Sequence, residues 1–378
     1  MPEQPHVLLA GVSTRALAQS AARAGYRVTA VDPFGDVDLR AVADVVSLRP
    51  FGADRAARVA RSVAAGLVAF TSNLENHPAA VAELARGRRL LGNPAAVLER
   101  VRNPLQLAKA VAAGGFAGPR TRASAPLDRT IRRWLLKPRR SGGGHGTVAW
   151  RRGRRIPRGA YLQERIAGIP GSIVFAADGQ DITPLGLTRQ LVGESAFGAR
   201  GFRYCGSLLA SRRTALFPRE AELARRAVEL ARCLTRAFGL RGLNGIDFIA
   251  SDGLPFPIEV NPRYSASMEL VERAGEPLFQ THVAAAAGRL GAAPSAPADV
   301  LGKAIVFARQ DVVIDDPTRW KVDLADIPHA GERIAAGRPI CTVFARARTA
   351  EACRAALAAA AERVYRAGAA AARKAGAA

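Results

Sequence analysis

The chain has 378 residues, 49% of them hydrophobic, with a formal net charge of +23. That length and apolar content suit two or three domains with real cores and exclude a disordered chain. No apolar run reaches the ~20 residues of a membrane span, "MPEQPHVLLAGVSTR" has no basic n-region of a signal peptide, and the four cysteines form no CxxC pair.

The five histidines build no HExxH, so a reduced, cytoplasmic protein without a zinc site is expected. Lysine occurs only at 109, 137, 303, 321 and 374, and arginine supplies the other fifty basic residues. With abundant alanine and glycine, that bias reads as GC-rich coding on solvated faces. No basic run is interleaved with aromatic residues, as a single-strand-binding surface would need. Neither nucleic acid nor membrane is therefore expected as a partner.

In chain order, "HVLLAGVSTRALAQSAARAGYRVTAVDPF" predicts strand, helix and strand: Val7–Ala10, a stripe of Leu17, Ala21 and Ala22 stopped by Gly25, then Val28–Val31. Its turn is not GxGxxG, so no dinucleotide fingerprint is present. "LVAFTSN" (67–73) predicts another strand and "HPAAVAELARG" a helix. An open parallel sheet over residues 1–95 is the economical reading.

The turn-rich "GFAGPRTRASAP" (115–126) marks a boundary, and strands and loops dominate from Trp134 to Ser211. "LLKPRRSGGGHGTVAW" (135–150) puts a glycine-rich loop between two strands, with Lys137 beside it. Successive N–H groups in such a loop suit an anion, and the lysine adds a mobile charge. GxxxxGK[ST] is absent, so this is not a Walker A loop. "PREAELARRAVELARCLTRAFGL" predicts an amphipathic helix with Leu223, Ala227, Leu230, Leu234 and Phe238 inward. The tail from Glu351 predicts an alanine-rich helix that frays in "GAAAARKAGAA".

The most informative stretch is "RGLNGIDFIASDGLPFPIEVNPRYSAS" (241–267). Two alternating runs flank "SDGL", a hairpin signal. A three-residue loop, Asp252–Leu254, would pair Ser251 with Pro255 and set Asp247 across from Glu259. Asp247, Glu259 and Asn261 then share one face; Ile246, Phe248, Ile258 and Val260 share the other. Two carboxylates and an amide oxygen make a hard, oxygen-only site suited to Mg²⁺.

The ordered set resembles the ATP-grasp superfamily of ATP-dependent ligases. It rests on "LLKPRRSGGGHGT", "YLQERIAGIPGS" and "GIDFIASDGLPFPIEVNPRYSAS", and covers most of residues 1–345. "DIPHAGERIAAGRPICTVFA" near the end points to a poorly characterised carboligase-like branch. The resemblance implies an α/β chain in which an N-terminal open parallel-sheet (pre-ATP-grasp) domain precedes an ATP-grasp α+β domain. The expected divisions are 1–95, a central lid part 96–210, a metal-hairpin part 211–350 and a helical tail 351–378.

It implies ATP and Mg²⁺ (or Mn²⁺) as cofactors. Lys137, Ser141, Gly142, Gly143, Gly144, His145 and Gly146 would meet the phosphates, and Gln163, Glu164, Arg165 and Ile166 would line the adenine slot. Asp247, Glu259 and Asn261 would hold the metal. Arg263 and Lys137 would be the catalytic residues, Lys137 at the α/β-phosphates and Arg263 facing the transferred phosphoryl group or the acyl phosphate. Two departures stand out. "VRNPLQLAKA" has no nucleotide lysine, which puts Arg102 in that place, and Pro170 occupies the usual position of a ribose-binding glutamate.

Likeness to tyramine–glutamate and other carboxylate–amine ligases implies small-molecule carboxylate and amine partners and an acyl-phosphate route, with a homodimer left open. A part in building a one-carbon carrier such as methanofuran or methanopterin follows from the same likeness. "FTSNLENHP" (70–78), Arg189, Glu194, Arg203 and Tyr204 are candidate acceptor contacts. The rival reading is a nucleotide- or nucleic-acid-binding protein that keeps the fold without catalysis, and its support is the net charge.

Overall fold

The structure is a computed structural model that describes residues 4–125 and 133–375. The first unit is a five-stranded parallel sheet. Its strands are β1 (His6–Ala10), β2 (Arg27–Asp32), β3 (Asp44–Ser47), β4 (Leu67–Phe70) and β5 (Arg89–Leu90), in the order β3-β2-β1-β4-β5. Val7–Ala10 are fully buried, as expected of a strand covered on both faces. The helix Arg15–Arg23 buries Leu17, Ala18 and Ala21. Gly25 follows it at φ +86°, a backbone state that glycine adopts at little cost. The predicted strand 67–73 ends at Phe70.

The second unit is a four-stranded antiparallel sheet of β6 (Thr121–Arg122), β7 (Trp134–Pro138), β8 (Val148–Trp150) and β9 (Ala160–Glu164), in the order β6-β9-β7-β8. Trp134, Leu136 and Leu162 form its small core. The period of two sends Leu135 and Lys137 on β7, and Tyr161 and Gln163 on β9, to the opposite face. The last residue of the turn-rich stretch 115–126 lies outside the described residues.

The third unit is an antiparallel sheet of eight strands: β10 (Ile169–Asp178), β11 (Ile182–Val192), β12 (Tyr204–Leu209), β13 (Arg241–Ser251), β14 (Leu254–Asn261), β15 (Val300–Phe307), β17 (Leu324–Ala325) and β19 (Pro339–Ala347). Its order is β14-β13-β10-β11-β12-β15-β19-β17, and β16 (Val312–Val313) pairs separately with β18 (Arg333–Ile334). Strand β10 explains how the sheet is covered. Ile173, Phe175 and Ala177 face a core that includes the helix Glu220–Phe238, while Val174 and Ala176 face one shared with the helices 268–286 and the first unit. The helix Glu220–Phe238 buries all five residues that its spacing predicts. Each such large apolar side chain contributes roughly 1.5–3 kcal/mol on burial. The C-terminal helix runs from Ala350 to Ala375, past the start of the expected fray at Gly368; residues 376–378 lie outside the described residues.

The β13–β14 hairpin differs instructively from its predicted register. Ser251 pairs with Leu254, not Pro255, so the loop is the two-residue Asp252-Gly253. Both residues have positive φ, +48° and +73°, the signature of a type I′ turn. That shorter loop alone would move Asp247 off Glu259 by one residue. A bulge between Asp247 and Phe248 restores the pairing, so Asp247 does face Glu259. Ile258 is the extra residue. It lines the cavity and does not join Ile246, Phe248 and Val260 in the core, as the simple alternation had it.

Candidate active site

One cavity of about 1110 Å³ lies among the three units. Lys137, Ser141, the four loop glycines, His145, Gln163–Ile166, Arg102, Asp247, Glu259, Asn261 and Arg263 all line it. The sequence-predicted site residues are therefore brought together.

At one end stands the hairpin. Asp247 and Glu259 face each other across two strands, and each is half-buried. Burial, then the Glu259 charge, pushes the Asp247 carboxyl up to about 7. Burial works on Glu259 in the same direction, but Arg102, Lys137 and Arg263 outweigh it and hold Glu259 below the usual carboxylate range. Two facing half-buried carboxylates, one resisting ionisation, are the donor set that a divalent cation relieves. Asn261 contributes differently from the expectation. Its Nδ2 donates to Asp247 Oδ2 at 3.0 Å, and its Oδ1 accepts from Arg263 at 3.2 Å. As an oxygen ligand, its amide would have to be reversed.

Lys137 Nζ donates to Gln163 Oε1 at 3.0 Å, and Gln163 Nε2 donates to the Ile258 carbonyl at 3.2 Å. Gln163 thus ties the lysine to the hairpin, a role other than lining an adenine slot. Glu164 Oε2 accepts from the Arg120 N–H at 3.1 Å, Arg165 lies over the Phe202 ring, and Pro170 is on the wall. Arg102 bridges three segments: Nη1 donates to the Val260 carbonyl at 2.8 Å and lies 3.5 Å from Glu259, Nε donates to Asn76 at 3.1 Å, and Nη2 donates to the Ser141 carbonyl at 3.2 Å. Arg263 pairs with the buried Glu75 at 2.9 Å.

The glycine loop crosses opposite the hairpin. Gly143, Gly144 and Gly146 have φ of +58°, +75° and +71°. The Gly143 carbonyl accepts from the Tyr204 N–H at 3.1 Å, and Ser141 Oγ donates to the His145 carbonyl at 2.6 Å. A Cβ on Gly144 would lie 1.8 Å from the Phe202 carbonyl oxygen, whereas one on Gly143 would meet nothing. Burial, then Arg203 and Arg338, lowers the His145 pKa, so its ring adds hydrogen-bonding capacity and no charge at neutral pH. Of the acceptor candidates, Thr71–Asn73, Arg203 and Tyr204 line the cavity. Glu194 instead pairs with Arg354, and Arg189 is outside the lining.

Sequence reasoning missed the opposite end. Arg15, the first residue of its helix, is 2% exposed and reaches Asp326 at 3.0 Å and Glu269. Lys303 also bonds Glu269, and Thr342 donates to Asp326 at 2.6 Å. These residues are 311 positions apart at the widest hydrogen bond, so no local spacing announces them. Lys303 in a chain with five lysines was the available signal.

With this geometry in view, a family model described as ATP-grasp domain matches residues 101–267. The chain carries an ATP-grasp domain. The matched residues span β6–β14 and hold the loop, Gln163, Asp247 and Glu259. An uncharacterized protein of Methanocaldococcus jannaschii is 29% identical over 124 residues, 33% of this chain and 31% of that protein. The chain thus aligns with about a third of that relative's length.

Among solved structures, N5-carboxyaminoimidazole ribonucleotide synthetase from Thermotoga maritima matches with a TM-score of 0.69 at 14% identity, over 95% of this chain and 98% of that one. L-amino acid ligase from Bacillus licheniformis matches with 0.68 at 15%, over 96% and 98%. The biotin carboxylase domain of Hydrogenobacter thermophilus 2-oxoglutarate carboxylase, solved with MgADP, ADP and bicarbonate, matches with 0.71 at 15%, over 94% and 89%. At these identities the likeness is one of fold, and it extends beyond the ATP-grasp domain to nearly the whole chain. Among the described residues, no helix is long and apolar enough to cross a membrane.

Proposed function

We propose that this chain is an ATP-dependent carboxylate–amine ligase. The observation that carries the reading is one cavity in which Lys137 and a glycine loop face the Asp247–Glu259 pair, with Gln163 and Arg102 tying the two walls together. The loop's N–H groups and Lys137 would hold the phosphates of ATP. Asp247 and Glu259 would hold Mg²⁺, which supplies charge neutralisation and Lewis acidity to phosphate oxygens when bound. Arg263, fixed by Glu75 and Asn261, would face the transferred phosphoryl group.

Phosphoryl transfer asks little covalent help from a protein, and positioning and charge carry it. A substrate carboxylate oxygen attacks the γ-phosphorus, ADP leaves, and an acyl phosphate forms. An amine then attacks the acyl carbon and phosphate departs. The loop, pinned to Tyr204 across the cavity, would keep water from the acyl phosphate. Two structural neighbours, an L-amino acid ligase and an N5-carboxyaminoimidazole ribonucleotide synthetase, support carbon–nitrogen bond formation. An amino-acid carboxylate is proposed as the acyl donor, and a one-carbon carrier such as methanofuran or methanopterin as the end product is a proposal resting on family likeness alone.

The test is phosphate release from ATP and Mg²⁺ across a panel of carboxylates, with hydroxylamine present as a trap. Release that requires a carboxylate and yields a hydroxamate is expected. Hydrolysis that ignores every carboxylate would sink the ligase reading.

A further inference from the structure

At the far end of the cavity Asp36, Glu269 and Asp326 line the wall with Arg15 and Lys303, and Asp32 and Asp38 stand behind them, in a chain whose formal charge is +23. Four of the acids are accounted for. Asp32 accepts from the Thr14 N–H and hydroxyl and from the Phe34 and Gly35 N–H groups, at 2.7–3.0 Å. Asp38 accepts from the Asp326 and Ile327 N–H groups, at 3.0 and 2.9 Å. Glu269 takes Arg15 and Lys303, and Asp326 takes Arg15 and Thr342.

Asp36 is the exception. It is 7% exposed and lines the cavity, yet no hydrogen bond or ion pair reaches its carboxylate among the described residues. It stands at the N-cap position of the short helix Val37–Arg40 but makes no capping bond. Burial, then Asp326, Asp32 and Asp38, holds its carboxyl up at about 8, and Arg15 offsets this only in part. A buried acid without a donor is costly. The cations beside it, Arg15 and Lys303, are already engaged.

We propose that Asp36, with Asp326 beside it, is the recognition site for the ammonium group of a small amine substrate. A charged nitrogen offers up to three donors, and Asp36 is the acid here with none. A carboxylate or phosphate at this end would meet the unrelieved Asp36, so the anionic groups of the substrates belong at the Lys137 end and the cationic group at the Asp36 end. The fate of the amine rests on the ligase reading above; its binding does not.

Calorimetric titration of the full chain, with Mg²⁺ and a non-hydrolysable ATP analogue, tests this. The probes are 1,4-diaminobutane, L-lysine and 2-phenylethylamine, against the neutral 1,4-butanediol and 2-phenylethanol. At least one amine should bind the wild type while its alcohol counterpart does not. Asp36→Asn should weaken that amine tenfold or more and leave the nucleotide-analogue affinity unchanged. Failure of all three amines to bind, equal binding of amine and alcohol, or equal amine binding to Asp36→Asn overturns the assignment. Amine binding lost in Asp36→Asn, without any carboxylate-dependent phosphate release, leaves the site standing and removes the ligase reading. Turnover with an amine KM unchanged in Asp36→Asn does the reverse.

Discussion

The two walls of the phosphate end are held by different means. The β13–β14 hairpin is fixed by its core: Ile246, Phe248 and Val260 are at most 1% exposed, and a register slip would expose them. The glycine loop has no such anchor. Its position rests on bonds to its own carbonyls, from the Tyr204 N–H to Gly143 and from the Arg102 side chain to Ser141, and on the absence of a side chain at Gly144. One wall is therefore set by apolar burial and tolerates polar change on its cavity face. The other is set by backbone shape and tolerates almost no added atom at one position.

The largest expected effect comes where the two walls meet. Lys137→Ala removes the charge that Gln163 ties to the hairpin. By analogy with the loss of one preorganised oxyanion donor, turnover should fall by about 10²–10³, on the order of 3 kcal/mol, with little change in melting temperature. Near-wild-type turnover with a carboxylate acceptor would remove this residue from the chemistry and the site with it.

On the hairpin wall, the two acids should part company. Asp247 has a carboxyl raised to about 7, so its unfolded form ionises at lower pH than its folded form and its charge opposes folding above that range. Asp247→Asn should therefore melt higher at pH 8 without Mg²⁺. Glu259 is held low by Arg102, Lys137 and Arg263, so Glu259→Gln strands those cations and should melt lower. Both variants should raise the Mg²⁺ concentration needed for half-maximal turnover by about tenfold or more, on the physical ground that each removes a hard oxygen charge. Melting shifts of the same sign in the two variants would show that the pair is not electrostatically divided in this way.

On the loop wall, Gly144→Ala puts a Cβ 1.8 Å from the Phe202 carbonyl oxygen, while Gly143→Ala meets no atom within 4 Å. Both carry the left-handed strain of a non-glycine residue, roughly 1 kcal/mol. Only Gly144→Ala must also push the loop off the 202–204 segment. Its ATP KM should rise at least several-fold above that of Gly143→Ala. Equal kinetics would mean that the loop is not held in the shape described.

The same contrast governs what could be read from the sequence. The hairpin was legible because alternation of Ile246, Asp247 and Phe248 encodes faces directly. Even so, the turn and bulge were missed, because Asp252-Gly253 and Leu254 leave both loop lengths open and only packing decides. The first parallel sheet was legible for the same reason, through Val7–Ala10 and Val28–Val31. Lys137 and the glycines were legible as chemistry, but Gly144 could not be told from Gly143, since the difference is a contact with Phe202 nearly sixty residues away. The Asp36 end was illegible. Its partners come from residues 13–38, 269, 303, 326 and 342, and only the folded chain makes them neighbours.

The smallest effect lies at the base of the hairpin wall. His282 is 2% exposed, and its Nδ1 accepts from the Leu243 N–H at 2.9 Å on strand β13. Its other nitrogen bonds the Leu91 backbone, and Gly92 and Gly242 close over the ring. Burial lowers the His282 pKa to about 4, outweighing that backbone bond. The folded state then keeps the ring neutral while the unfolded chain, near 6.5, takes up a proton. Between those values the unfolded state binds more protons, so stability falls as pH drops below about 6.5 and the loss is complete near 4. From pH 7 to 5.5 the loss from this residue should be about 1 kcal/mol. Urea unfolding of wild type and His282→Gln at the two pH values isolates it, because every other titrating group is common to both. The variant should be less stable at pH 7, for want of the ring's packing, but should lose about 1 kcal/mol less on acidification. Among the described residues the loop wall has no fully buried neutral base of this kind: His145 is exposed by area, and Arg203 and Arg338 add to the partial desolvation that lowers its pKa. Mild acid should therefore loosen the contact between the first sheet and the hairpin before it disturbs the loop, and hydrogen exchange at the Leu243 amide should quicken ahead of exchange at Tyr204.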